Sequence, residues 1–266
     1  MRFSLVAIAL SVAATVTASP LEKRILGGKP VGETEIPFIA EMRNKRSPCS
    51  GFVIHPQVIM TAAHCLREPT RTGWIYGSVH VGKGQGDADW VEFLQHPGYN
   101  GTLDHHDIGL VFLDKKVSVK PANIMTAAQS YPKTGSKVLA AGYGVIKNKG
   151  NDGEPVYPKI LHKVELNVVS KTTCKKNYPH FLEEYQFCTD YAPLGRAVCN
   201  GDSGGPILVG EGKDQRVIGL VNHGTKDIAC GEKGNYQYYT YIKPYLPWVE
   251  SEIKRFLKDG PRKPKN

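Results

Sequence analysis

The chain has 266 residues, of which 41% are apolar and 22% charged, with a formal charge of +9. That apolar content supports the core of one large all-β or α/β-barrel domain or of two small ones, and excludes a disordered chain, a collagen and a disulfide miniprotein. Part of the basic excess lies in the tail Lys258 to Asn266, where Pro261 and Pro264 prevent a helix and no aromatic residues interleave with the charges. Residues 258–266 therefore read as a solubilising end, with no nucleic acid or membrane expected as a partner.

Arg2 stands before an apolar run from Phe3 to about Ala14, and small residues follow at Val16 and Ala18. This is the pattern of a secretory signal peptide, residues 1–18, cut after Ala18. No later run is long enough to cross a bilayer, so a secreted, extracellular protein is expected. Residues 19–24 then end on the dibasic pair Lys23-Arg24, directly before Ile25.

From Ile25 onward short apolar runs alternate with turn residues: Gly51-Phe-Val-Ile, Val58-Ile-Met, Ile108 to Leu113, Lys137 to Ala141 and Val217 to Val221. Runs of this length bounded by Gly, Pro and Asn predict the strands of an antiparallel sandwich or barrel. The alternation in Lys163-Val-Glu-Leu-Asn-Val agrees. Residues 147–158, rich in Lys, Asn, Gly, Asp and Pro, predict a long exposed loop. One helix is expected at the end, with Pro247 in its first turn and Trp248, Val249, Ile253, Phe256 and Leu257 on one face, stopping before Gly260.

Six cysteines, Cys49, Cys65, Cys174, Cys188, Cys199 and Cys230, suit an oxidising compartment, and the lack of any CxxC pair argues against zinc. Six cysteines allow fifteen pairings, and spacing alone does not choose among them. Asn100-Gly101-Thr102 has the pattern of an N-glycosylation acceptor. Asp87 and Asp89 offer too few ligands for calcium, and neighbouring His105, His106 and Asp107 would point to opposite faces of a strand, so no metal and no cofactor is expected.

Gly201, Ser203 and Gly205 form Gly-x-Ser-x-Gly within "AVCNGDSGGP". A serine hydroxyl is a poor nucleophile at neutral pH and needs a base, an acid that orients the base, and donors for the oxyanion. An α/β-hydrolase would place that acid and base after the serine. Only Asp214 and His223 follow in that order, in a Gly-rich stretch without room for the required helices. Upstream, "TAAHC" carries His64 and "HHDIGLVFL" carries Asp107 at the head of an apolar strand. Taken singly, each reads as a buried histidine or a strand-end cap.

The motifs "RILGG", "TAAHC", "HPGYN", "DIGL", "CNGDSGGP" and "YTYI", in this order over residues 25 to 257, resemble the trypsin/chymotrypsin family of serine proteases. The resemblance implies an all-β fold, two six-stranded antiparallel β-barrels with a C-terminal α-helix, meeting near residues 130–136 with the active site in the cleft between them. It implies His64 as general base, Asp107 as its orienter and Ser203 as nucleophile, with the N–H groups of Gly201 and Ser203 forming the oxyanion hole. It implies the disulfides Cys49–Cys65, Cys174–Cys188 and Cys199–Cys230. It also gives the dibasic site a role: cleavage after Arg24 frees an Ile25 ammonium to pair with Asp202, so that the chain is a zymogen. Peptide and protein substrates, protein protease inhibitors and a monomeric state are expected.

The chain departs from the family pattern where substrate would bind. Substrate contacts are expected from Ala197, Val198, Asn200, Asn222, His223, Gly224 and Gln237. Ala197 occupies the position at the pocket base where an aspartate would select Arg or Lys, so a preference for uncharged residues is expected. Gln237 replaces a glycine and should obstruct or polarise the pocket. Asn222 replaces a serine and is expected to donate to Asp107; His223 replaces a tryptophan of the cleft wall. These changes keep a second class in view, a protease homologue that binds a protein partner without cutting it.

Overall fold

A computed structural model of the chain describes residues 26–42, 48–67, 74–77, 80–81, 84–147, 154–190 and 195–262. The leader, the Lys23-Arg24 pair and Ile25 lie outside the described residues, as do residues 148–153 of the expected loop and the last four residues of the tail.

Among the described residues, fourteen strands form two sheets. The chain begins with β1 (Lys29–Pro30), then runs through β2 (Ile39–Met42), β3 (Cys49–His55), β4 (Val58–Thr61), β5 (Trp74–Tyr76), β6 (Gly86–Ala88), β7 (Trp90–Gln95) and β8 (Gly109–Leu113). The second half contributes β9 (Lys137–Gly142), β10 (His162–Asn167), β11 (Gln186–Thr189), β12 (Pro206–Val209), β13 (Arg216–Gly224) and β14 (Gln237–Tyr241). The first sheet has the order β6-β5-β2-β3-β4-β8-β7 and the second β1-β10-β9-β12-β13-β14-β11, with every pairing between these strands antiparallel.

The two-barrel all-β architecture is the one expected, but each sheet counts seven strands instead of six. In the second sheet the extra strand is β1, which leaves its sequence neighbours and pairs Lys29 with Lys163 and Pro30 with His162. An antiparallel bridge from Val168 to Thr189 joins the end of β10 to β11 and curls that sheet closed.

Two cores form, and the first is shared between the sheets, because β4 and β8 are buried on both faces and Leu208, Val217 and Leu220 of the second sheet pack into it. Ile39, Phe52, Ile59, Ile108 and Phe112 belong to the first core, and Val138, Leu166, Phe187, Ile218 and Tyr239 to the second. Complete burial of a side chain of this size is worth roughly 1.5–3 kcal/mol, so these cores dominate the stability. The expected loop at 147–158 is tied at its base: Lys147 and Val156 form a bridge, and Ile146 N–H donates to the Val156 carbonyl at 2.8 Å.

The C-terminal helix α2 (Leu246–Asp259) has Pro247 in its first turn and ends on Gly260, whose φ of 76° a side-chain-bearing residue would resist. It docks Phe256 on Phe112, ring centres 4.6 Å apart, with Leu246 and Val249 also buried. Leu257 does not join that stripe. One residue on from Phe256 it points about 100° away, and it is 53% exposed. A second helix that the sequence reading missed, α1 (Lys171–Asn177), is capped by Ser170, whose hydroxyl accepts Thr173 N–H. The three disulfides are Cys49–Cys65, Cys174–Cys188 and Cys199–Cys230, with Cα separations of 6.2, 5.8 and 5.6 Å.

Candidate active site

His64 lies on a short 3-10 turn, Ala63–Leu66, that follows β4 directly. The Cys49–Cys65 disulfide pins this turn to β3, and Gln95 Nε2 donates to the Ala63 carbonyl at 2.8 Å. Asp107 stands just before β8, which pairs with β4 through Thr61 and Gly109. That register brings the two residues together. The Asp107 carboxylate, fully buried, accepts the His64 backbone N–H on Oδ1 at 2.8 Å and the ring Nδ1–H on Oδ2 at 2.7 Å. Burial pushes the His64 pKa down, but the charge and hydrogen bond of Asp107, with the charge of Asp104, outweigh it and leave it raised.

Ser203 sits on the turn between Cys199 and β12. Gly201 and Gly204 on either side have φ of 99° and 77°, and a Cβ on Gly201 would meet the Gly144 backbone at 2.9 Å. This turn belongs to the second sheet but is held by the first. Ser50 of β3 donates its N–H to the Ser203 carbonyl at 2.8 Å and its hydroxyl to the Gly201 carbonyl at 3.0 Å. Thr61 of β4 in turn donates to the Ser50 carbonyl at 2.8 Å. Sequence reasoning missed Ser50 and Thr61; the only trace was the threonine that opens "TAAHC".

Asp202, fully buried, accepts Gly144 N–H and Cys199 N–H, both at 2.8 Å. Burial pushes its carboxyl up to about 7, although these two N–H groups favour the charged form.

His64 and Ser203 line one cleft of about 380 Å³, together with Val198, Asn200, His223 and Gly224. Gln237 and Asn235 form part of its wall. Ala197, expected at the pocket base, does not reach it: the residue is fully buried and its N–H donates to the Leu26 carbonyl at 3.0 Å. The buried Gln237 side chain extends toward Gly224, where a Cβ would meet its Nε2 at 3.0 Å. Its Nε2–H donates to Asn235 Oδ1, and Asn235 is fixed by donating to the Ile228 carbonyl at 2.8 Å.

Asn222 also corrects an expectation. It gives no hydrogen bond to the Asp107 carboxylate. Its amide Nδ2 donates to the Asp104 carbonyl at 2.9 Å and to Thr240 Oγ1 at 3.3 Å. His223 stacks on Tyr238 with ring centres 4.9 Å apart and donates Nδ1–H to Asn222 Oδ1 at 3.1 Å. Its Nε2 is buried with no partner among the described residues, and burial lowers its pKa against the opposing pull of Asp104 and Asp107. His105, His106 and Asp107 turn to separate partners, the His180 carbonyl, the Tyr245 hydroxyl and His64 respectively.

The arrangement offers a serine hydroxyl on a glycine-flanked turn and, across the same cleft, an imidazole held by a buried carboxylate. Such a set can move a proton and stabilise an anion at an acyl carbon. Comparison with known proteins agrees. The family described as Trypsin matches residues 25–249. The chain is 28% identical to granzyme M of Rattus norvegicus over 246 residues, covering 88% of this chain and 91% of the relative. It is 30% identical to kallikrein-5 of Homo sapiens over 239 residues (87% and 77%), and 27% identical to cationic trypsin-3 of Rattus norvegicus over 251 residues (92% and 97%).

Proposed function

Since the chain belongs to the trypsin family of serine proteases, we propose that it is a secreted endopeptidase working through an acyl-enzyme on Ser203. The observation that carries this reading is the two-point grip of Asp107 on His64, in the cleft that Ser203 also lines. In the proposed reaction Ser203 Oγ attacks the scissile carbonyl while its proton passes to His64 Nε2. Asp107 holds the Nδ1–H side of the ring and stabilises the imidazolium. The N–H groups of Gly201 and Ser203 receive the oxyanion. His64 then gives its proton to the leaving amine, and water repeats the sequence to release the acid.

The cleft supports a preference for small-to-medium uncharged side chains over Arg or Lys. No carboxylate comes from position 197, and Gln237 fills the space beside Gly224 with a neutral amide. Activation by cleavage after Arg24 is part of the proposal. A buried carboxyl pushed up to about 7 becomes a firm anion only when a cation joins it, and the freed Ile25 ammonium would be that cation. Arg24→Gln should then block activity, and full activity of an uncut chain would refute the switch. Protein substrates and protein inhibitors are the partners proposed, with a monomeric enzyme and a glycan on the exposed Asn100.

A serine-directed organophosphonate tests the activity itself. The processed protein should be labelled and Ser203→Ala should not be. Failure to label the correctly processed wild type would favour a homologue that binds without cutting.

A further inference from the structure

The pairing of β13 with β14 slips between Val221, opposite Tyr239, and His223, opposite Tyr238, leaving Asn222 as the extra residue of a bulge. A bulge re-aims the side chain it carries. Here it sends the buried Asn222 amide toward the turn that leads into Asp107. Nδ2 donates to the Asp104 carbonyl and to Thr240 Oγ1, and Oδ1 accepts His223 Nδ1–H, so both ends of the amide are engaged. Thr240, itself buried on β14, passes the contact on: its hydroxyl donates to the backbone carbonyl of Asp107 at 3.2 Å.

The turn being gripped needs holding. Asp104 and His106 have φ of 46° and 51°, the left-handed region that side-chain-bearing residues resist. It belongs to the first half of the chain, yet the second half supplies its clamps. Gln186 Nε2 adds a bond to the Asp104 carbonyl at 3.3 Å, and the Tyr178 hydroxyl donates to the Leu103 carbonyl.

We propose that Asn222 and Thr240 are positioning residues that act on the backbone of the Asp104–Asp107 turn and so keep the Asp107 carboxylate seated on His64. The control is indirect: the pair bonds carbonyls, while both carboxylate oxygens are left to His64. Losing it lets the strained turn relax, and the carboxylate moves with the turn. The inference rests on the proposed protease activity, because the property it explains is the efficiency of the His64 base.

The test uses the processed full-length protein, with organophosphonate labelling of the wild type and kinetics on a peptide that the wild type cleaves. Thr240→Val replaces one hydroxyl by a methyl at constant shape, and Asn222→Ala removes the amide. Each should lower kcat about 10- to 100-fold with KM within about twofold. Each should also move the acid limb of the kcat/KM profile to lower pH. The charged groups acting on the His64 ring are Asp107, Asp104 and Arg67, with the titratable His223 facing it in the same cleft, and a carboxylate that no longer sits on Nδ1 raises its pKa less. Thr240→Ser, which keeps the hydroxyl, should restore most of the activity and the limb.

A labelled, active wild type whose Thr240→Val and Asn222→Ala variants keep both kcat and the acid limb overturns the proposal. So does a loss of kcat that tracks thermal stability while the limb stays in place, since that is a structural effect alone. A processed wild type that neither labels nor cleaves removes the protease reading and this inference with it, and is thereby distinguished from failure of the inference alone.

Discussion

Asp107 meets His64 at two points, accepting its backbone N–H on one oxygen and its ring Nδ1–H on the other, at 2.8 and 2.7 Å. The first bond fixes where the ring stands and the second fixes which nitrogen carries the proton. An amide at position 107 would satisfy one and fail the other. Asp107→Asn is therefore expected to fold and to lose about 10⁴-fold in kcat, as in the family's triad. Active-site titration with single-turnover kinetics checks it, and a loss below tenfold would mean that Asp107 only anchors the turn.

Gln237 is expected to set the depth of the cleft. Gln237→Gly removes the side chain lying beside Gly224 in the cleft wall. Peptide-library profiling should show cleavage after large apolar residues rising about 10-fold or more, with no gain after Arg or Lys. An unchanged profile would place the specificity elsewhere.

His96 and His106 should make stability depend on acid. Their rings lie 5.5 Å apart, and His96 Nδ1 accepts Gly98 N–H, a bond that protonation there would forfeit. Burial lowers both pKa values below the ordinary 6.5, with the neighbouring charge of His106 acting on His96 and that of His105 on His106. As pH falls from about 6.5, the unfolded chain takes up these protons first. Stability contributed by the neutral pair is thus present above about 6.5 and lost as pH falls through the lowered folded values. In thermal melts between pH 8 and 5 the wild type should lose stability relative to a His96→Gln, His106→Gln double variant, a difference that separates these rings from Asp202 and His64, whose raised pKa values act the other way.

Glu92 holds the C-terminal end to β7. Its carboxylate accepts from Arg255 Nη2 at 2.7 Å, from Arg262 Nη1 at 2.9 Å and from Arg262 backbone N–H at 3.0 Å. Glu92→Gln should cost about 2 kcal/mol in chemical denaturation, less than for a fully buried pair because Arg262 stays half exposed. A variant as stable as the wild type would show the network to be superficial.

The strands were legible where short apolar runs met turn residues, as at Gly51 to Ile54 and Ile108 to Leu113, because burial on a sheet demands that pattern. Helix α1 was not, since only Cys174 of its residues is buried and no apolar stripe forms. His64, Asp107 and Ser203 stood out through their motifs. The seating of Ser50 against the Ser203 turn did not, because it joins residues of two different sheets. Ala197 is fully buried with its N–H tied to the Leu26 carbonyl, a pairing with the far end of the chain that no local pattern reveals. The bulge at Asn222 depends on strand register, which no local pattern encodes.

The placement of β1 bears on biosynthesis. Its partner strand begins at His162, so the second sheet cannot gain its outer strand until more than half of the chain has been made. During translation the segment around Lys29 must wait, unpaired, while the strands of the first sheet emerge and can already associate. Severing the chain between the sheets would separate β1 from β10 and leave His162 and Lys163 without their outer partners. The two halves are therefore expected to refold as a pair far better than either does alone.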